Sequence, residues 1–366
     1  MTLQNISYFF LLGLIVYMPL STNAQSNTIE GVSAGANINT GTENSLFGFE
    51  SGKSIQSGRF NSFYGHLSGA NTTSSSNSFY GKSSGSTNST GSQNAFFGMA
   101  SGAFNTIASN NAFFGFRSGL RNTRGGGNSF YGAFSGEENE SGLINTFIGQ
   151  AAGQKSKGSN NTMIGANSGS ALISGNSNIM IGNSSAQRIE QGSGNIIIGY
   201  RTGYCSMMHT INNQLWIDNT CSNSTPLIYG EFDNNFVKIN GTFEVTAGLS
   251  NPSDINLKNN FNQIDEEEVL DKISNLDIQQ WTYKERPDEL HIGATAQDFH
   301  AAFGLGADDK HISTIDADGV ALAAIKALKK ENDEFKKENE EFRKRNDVLK
   351  TLIQNLDNRI KSLENK

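Results

Sequence analysis

Asn111-Ala112-Phe113-Phe114-Gly115-Phe116-Arg117-Ser118-Gly119 is followed, after eight intervening residues, by Asn128-Ser129-Phe130-Tyr131-Gly132-Ala133-Phe134-Ser135-Gly136. The two stretches share an Asn, an apolar pair and two Gly at the same spacing. Working outward, the leading Asn recurs at Asn44, Asn61, Asn77, Asn94, Asn111, Asn128, Asn145, Asn161, Asn178 and Asn195, in steps of 16 or 17 residues. The Gly four residues on never fails, from Gly48 to Gly199. The Gly four residues further on fails only at Ala186. A period this short cannot hold a helical pair, so each unit reads as one coil of a β-solenoid with two short β segments and Gly turns. Gly is expected where the backbone needs positive φ or packs against the next coil. Asn is expected to ladder from coil to coil through its amide or to hold a turn.

The apolar pair, as in Phe63-Tyr64, Phe113-Phe114 or Ile197-Ile198, places neighbouring side chains on opposite faces of a strand. One can fill the lumen. The other needs a second apolar partner, which the repeat does not supply. A symmetric oligomer would bury that stripe; a monomer with an exposed apolar face is the competing reading. The repeats resemble the left-handed β-roll heads of trimeric autotransporter adhesins and the Asn/Gly-rich repeats of fibre proteins with phage-tail-like ends. The resemblance covers about residues 31–203 and implies a parallel homotrimer. It departs in carrying large aromatics where those heads often carry small aliphatics.

Composition agrees with two bodies. Gly is 40 of 366 residues, and 32 of these lie between Gly31 and Gly203. Residues 25–252 carry 11 Lys+Arg and 11 Asp+Glu; residues 253–366 carry 17 and 24, so the whole net charge of −7 lies in the second part. An acidic chain without a basic run excludes nucleic acid and an anionic membrane surface as expected partners. Residues 31–203 contain no Asp, and their Glu residues do not recur with the repeat. That opposes a glycan-cleaving carboxylate pair and Asp-bearing calcium repeats.

Residues 1–24 read as an export signal. Ser7 to Leu20 is almost wholly apolar and is followed by Thr22-Asn23-Ala24, placing cleavage before Gln25. A membrane anchor is the competing reading, since no Lys or Arg precedes the run, but the run is short for a bilayer. The expected location is therefore extracellular or at a bacterial cell surface, with no membrane span after signal removal. The remaining divisions are a lead-in at 25–43, repeats at 44–204, a β connector at 205–250, a small α+β domain at 251–328 and a coiled coil at 329–366. In the connector, 215–219 and 226–230 read as strands, and 236–245 as a hairpin around Asn240-Gly241. Cys205 and Cys221 are the only cysteines. They are either two free thiols or a staple, within one chain or between chains. Two Cys and scattered His give no metal site, and no cofactor is expected.

Ser253-Asp254-Ile255-Asn256-Leu257-Lys258 carries the catalytic signal. On spacing alone, Ser-Asp before an apolar-periodic stretch is a helix cap. Its context adds a helix at 269–273, a strand at 278–283, the element His291-Ile292-Gly293-Ala294-Thr295-Ala296-Gln297-Asp298-Phe299 and a long helix from about Asp318. The set from about Asn251 to Leu328 resembles the endosialidase-type intramolecular chaperone, a self-cleaving serine peptidase domain of phage tailspikes also found in a eukaryotic transcription factor. The resemblance implies Ser253 as nucleophile, Lys258 as base and a cut between Pro252 and Ser253. Lys can act as base only when neutral, which needs burial; assembly around Leu257 and Phe261 would supply it. The last helix places Ile325, Asn332, Asn339, Asn346, Ile353 and Ile360 at a, and Leu328, Phe335, Phe342, Leu349, Leu356 and Leu363 at d. The expectation is an exported homotrimeric fibre or adhesin whose C-terminal domain assembles the trimer and then releases itself. The alternative is the same fibre with an uncleaved C-terminal foot. A surface glycan or a protein is the expected class of ligand.

Overall fold

The computed structural model describes residues 26–205, 209–221, 225–246, 248–284 and 286–365. The signal segment and its cleavage point lie outside the described residues. Two compact units divide the chain near residue 244.

The first unit is a β-solenoid of about eleven turns. Strands β1 (Thr28–Glu30) through β11 (Ile196–Ile198) each contribute three residues, and each pairs in parallel with the next in one continuous sheet. Residues 26–43, within the stretch read as a lead-in, form the first coil: Asn27, Gly31 and Gly35 carry the repeat pattern one step before Asn44, and the Asn27 Oδ1 accepts from the Asn44 backbone N–H at 2.9 Å. Each coil holds one strand rather than two. The opposite side is a ladder of single coil-to-coil bonds, such as Gly119 N to Ser135 O and Arg121 N to Glu137 O, both 2.9 Å. Left-handed residues interrupt it, with Arg117 at φ +55° and Gly119 at +60°. No run there stays extended long enough to form a strand.

The middle residue of each strand fills the lumen. Phe63, Phe79, Phe96, Phe113, Phe130 and Phe147 are fully buried, and successive rings stack at 4.8 Å, which is the spacing of the strands themselves. Leu46 lies before this column; Met163, Met180, Ile197 and Trp216 continue it to the far end. The lumen is thus one ring wide. Gly119 is required by that ring, since a Cβ there would lie 2.4 Å from a Phe113 ring carbon. Gly115, at φ +142°, would place a Cβ 2.5 Å from the Gly132 carbonyl. Ala186, at φ +52°, takes the Gly119-type place in the coil whose lumen residue is the unbranched Met180.

The Asn residues do both things expected of them. Asn61 accepts from the Asn77 backbone N–H at 3.0 Å, while its own amide donates to Asn44 Oδ1 at 3.0 Å and to the Ser74 carbonyl at 2.9 Å. Nine of the ten therefore both ladder and hold a turn, and Asn111 ladders to Asn94 Oδ1 at 3.2 Å. All ten are buried, so an unmet amide there would carry the full desolvation cost.

Strand β12 (Gln214–Ile217) adds to β11 in parallel, and β13 (Ile228–Glu231) and β14 (Phe236–Ile239) continue the sheet antiparallel. The hairpin turn falls at Phe232–Asn235, not at Asn240-Gly241. β14 spends its hydrogen bonds on β13, and residues 242–245 form no strand. Cys205 and Cys221 are bonded to each other within the chain, with Cα atoms 5.4 Å apart.

The second unit contains a single 3₁₀ turn (Ile255–Leu257), helix α1 (Glu266–Ser274), a β15 (Gln279–Tyr283)–β16 (Arg286–Gly293) hairpin, helix α2 (Ala296–Phe303) and helix α3 (Thr314–Glu364). α3 begins at the Ser313 cap, four residues before the expected start. Glu267 of α1 pairs with Lys330 of α3 at 2.6 Å, and Glu266 pairs with Lys326.

Candidate active site

The segment before α1 is built by a local cap. Asp254 Oδ1 accepts from the Asn256 backbone N–H at 2.9 Å, and Leu257 N donates to the Asp254 carbonyl at 3.1 Å. The resulting 3₁₀ turn reverses the chain through Ile255–Leu257. Five residues in an extended strand would separate two side chains by well over 10 Å. The turn instead brings Lys258 back to Ser253, where its Nζ donates to Ser253 Oγ at 2.7 Å. This is a nucleophile and a basic group within hydrogen-bond reach, the geometry that serine activation requires. The capping reading and the catalytic reading are therefore compatible: Asp254 caps, and the cap presents Ser253.

The surroundings of the pair are open in the single chain. Pro252, Ser253 and Lys258 are exposed, as are Ile255, Leu257, Phe261 and Ile264, with Leu257 at 72%. Four large apolar side chains within twelve residues of one another thus have nothing over them in their own unit.

The element from His291 to Phe299 is a scaffold. It comprises the end of β16, the Thr295 cap of α2 and the first turn of that helix. The Asp298 N–H donates to Thr295 Oγ1 at 3.1 Å, and the Thr295 hydroxyl donates to the Asp298 carboxylate at 2.6 Å. Phe299 is buried beneath it. On the hairpin, Trp281 stacks on His291 at 4.7 Å and meets Tyr283 edge-on. Sequence reading assigned no place to His291 within this cluster; its Nε2 is buried and makes no hydrogen bond.

α3 has two faces with different fates. Val320, Ala323, Ala324 and Ala327 are buried, on the side that packs on α1. The apolar a and d residues lie elsewhere on the helix and are exposed from Ile325 to Leu363, including Phe335, Phe342, Leu349 and Leu356. Among the described residues no group of three or more His, Cys, Asp or Glu is placed to hold a metal, and no helix is long and apolar enough to cross a membrane.

No curated protein matches the chain, and no solved structure does. The family comparison does find a match, and it begins at Ser253 and ends at the left-handed Gly304 cap of α2: residues 253–304 match the family described as chaperone of endosialidase.

Proposed function

We propose that the chain is an exported homotrimeric fibre whose C-terminal unit assembles three copies and then releases itself by cutting before Ser253. The 2.7 Å Lys258–Ser253 contact, in the segment matching the chaperone family, carries this reading. The chemistry follows from position. Ser253 Oγ attacks the Pro252 carbonyl carbon while neutral Lys258 takes the hydroxyl proton. The Pro252–Ser253 C–N bond breaks, the Ser253 nitrogen keeps its proton and gains one from Lys258, and an ester joins Pro252 to Ser253 Oγ. Water hydrolyses the ester, leaving a Pro252 carboxylate and restoring the serine. Each chain turns over once.

Assembly supplies the gate. A fully hydrated lysine is protonated at neutral pH and cannot take the proton. Packing copies over Leu257 and Phe261 would exclude water from the pair and favour the neutral amine. The uncovered a/d stripe of α3 supports self-association, and the apolar core of a coiled coil is its natural place. The folding problem gives a motive. Near-identical coils can pair out of register, and a clamp that holds three chains in step lowers the entropy cost of pairing them. Removing the clamp afterwards makes the product kinetically stable, since it cannot unfold by the route it folded.

Mass spectrometry of full-length protein after prolonged incubation tests the cut. The expected products are a body ending at Pro252 and a fragment running from Ser253 to Lys366. Ser253→Ala and Lys258→Met should both leave the chain whole while assembly persists. An intact wild-type chain would replace the releasing clamp with a permanent foot. Cleavage persisting in Ser253→Ala would overturn the dyad.

A further inference from the structure

We propose that the C-terminal coils of the solenoid carry a binding site for an acidic saccharide chain, in a groove lined by Gln154, Lys155, Ser170, Gln187, Arg188 and Tyr204. The site lies within the solenoid and depends neither on cleavage nor on the C-terminal unit.

The repeat places the lining. Gln154, Ser170, Gln187 and Tyr204 each sit nine residues after a ladder Asn, in four successive coils; Lys155 and Arg188 sit one residue further on. The groove is therefore one column of the coil surface, remote from the three-residue strand. Coils follow one another at about 4.8 Å, so Lys155 and Arg188, two coils apart, are separated by about 10 Å along the axis.

The cations are prepared for a ligand rather than neutralised. The guanidinium carbons of Arg188 and Arg201 lie 4.5 and 4.7 Å from the Tyr204 ring centroid. Stacking satisfies the guanidinium face and fixes its plane, leaving the in-plane N–H donors for a planar carboxylate. Of the nearby carboxylates, Glu137 is held by Arg117 at 2.7 Å and by the Gln154 amide at 2.8 Å, Glu140 by Lys157 at 3.1 Å and Glu190 by His209 at 3.2 Å, while Glu138 lies one coil before Lys155, at the edge of the lined coils. Among the described residues Lys155, Arg188 and Arg201 form no salt bridge. On a body whose formal charge balances, two cations that line the groove and a third, Arg201, stacked on its Tyr204 select an anion.

The neutral lining chooses the class of anion. Gln187 and Ser170 offer side-chain donors and acceptors at coil intervals, and Gln154, whose amide nitrogen donates to Glu137 at 2.8 Å, offers its carbonyl oxygen, matched to the hydroxyls of successive sugar rings. The groove has no apolar pocket for a peptide side chain. Cations spaced two coils apart suit a carboxylate on every second ring.

The test is calorimetry on full-length Ser253→Ala protein, which removes processing from the readout. A hyaluronan octasaccharide, with a carboxylate on alternate rings, should bind and weaken as salt rises. Its carboxyl-reduced, neutral form should bind at least tenfold more weakly. Arg188→Ala and Arg201→Ala should each lose at least tenfold, Arg188→Lys should not restore binding, and Lys82→Ala, a cation in another column, should bind as the parent does. Equal binding of the neutral form, equal or tighter binding of poly-glutamate, retention of affinity in Arg188→Ala, or no detectable heat with the octasaccharide would each overturn the proposal.

Discussion

The solenoid and the C-terminal unit solve the same problem, burying apolar surface, by opposite means. In the solenoid each coil buries its lumen ring against its neighbours, and the Asn ladder satisfies the polar groups that go in with it. Among the described residues of 245–366 the buried apolar ones are Phe299, Val320, Ala323, Ala324 and Ala327, while Leu257, Phe261 and the apolar α3 stripe face outward. A solenoid is stabilised by its own nearest neighbours, repeat upon repeat. A 51-residue helix with its apolar stripe uncovered is not. The comparison teaches where the chain covers its own apolar surface and where it leaves that surface uncovered.

The comparison breaks most visibly at α3. Introducing Leu349→Asp with Leu356→Asp should reduce the assembled mass to that of one chain by light scattering and stop the cut, because both depend on the stripe. A variant that still assembles would show the C-terminal unit to be as self-sufficient as the solenoid. Within the solenoid the effects should be graded and local. Phe113→Ala opens the one-ring lumen between Phe96 and Phe130 and should cost about 3–5 kcal/mol in denaturant unfolding, with processing of folded protein unchanged. Asn111→Ala deprives the Asn128 N–H of an acceptor 2.9 Å away, and should cost about 1–3 kcal/mol. Costs near zero at both sites would contradict the column-and-ladder account.

The smallest expected effect lies at the end of the solenoid sheet. Burial, then the 2.7 Å hydrogen bond to Glu231, pushes the Tyr229 hydroxyl up to about 12. The Asn234 amide and the Tyr229 hydroxyl hold the Glu231 carboxyl below its ordinary value. A raised tyrosine favours its neutral form in the folded state. Its contribution to stability is thus fully present below the ordinary value of about 10 and is lost as pH rises through about 12. Absorbance at 295 nm should show a late-titrating tyrosine, and Glu231→Gln should move it earlier.

The sequence by itself determined the coil. Period, Asn and Gly positions and the apolar pair are nearest-neighbour information, and in a solenoid nearest neighbours are also the tertiary contacts. The same locality made the α3 heptads legible, since they repeat along one helix, whereas Ser253 and Lys258 were legible only through the resemblance of residues 251–328, their spacing alone reading as a cap. Tertiary structure decided what periodicity leaves open. It placed Phe113 inside and Phe114 outside, reduced two expected β segments per coil to one because left-handed residues break the second, and moved the neck turn to Phe232–Asn235 because β13 was already the partner of β14. It also gathered Lys155, Arg188 and Tyr204 into one column, with Arg201 against the Tyr204 ring. No motif announces that cluster: its members come from different coils, and only coil-on-coil stacking makes residues so far apart in sequence neighbours.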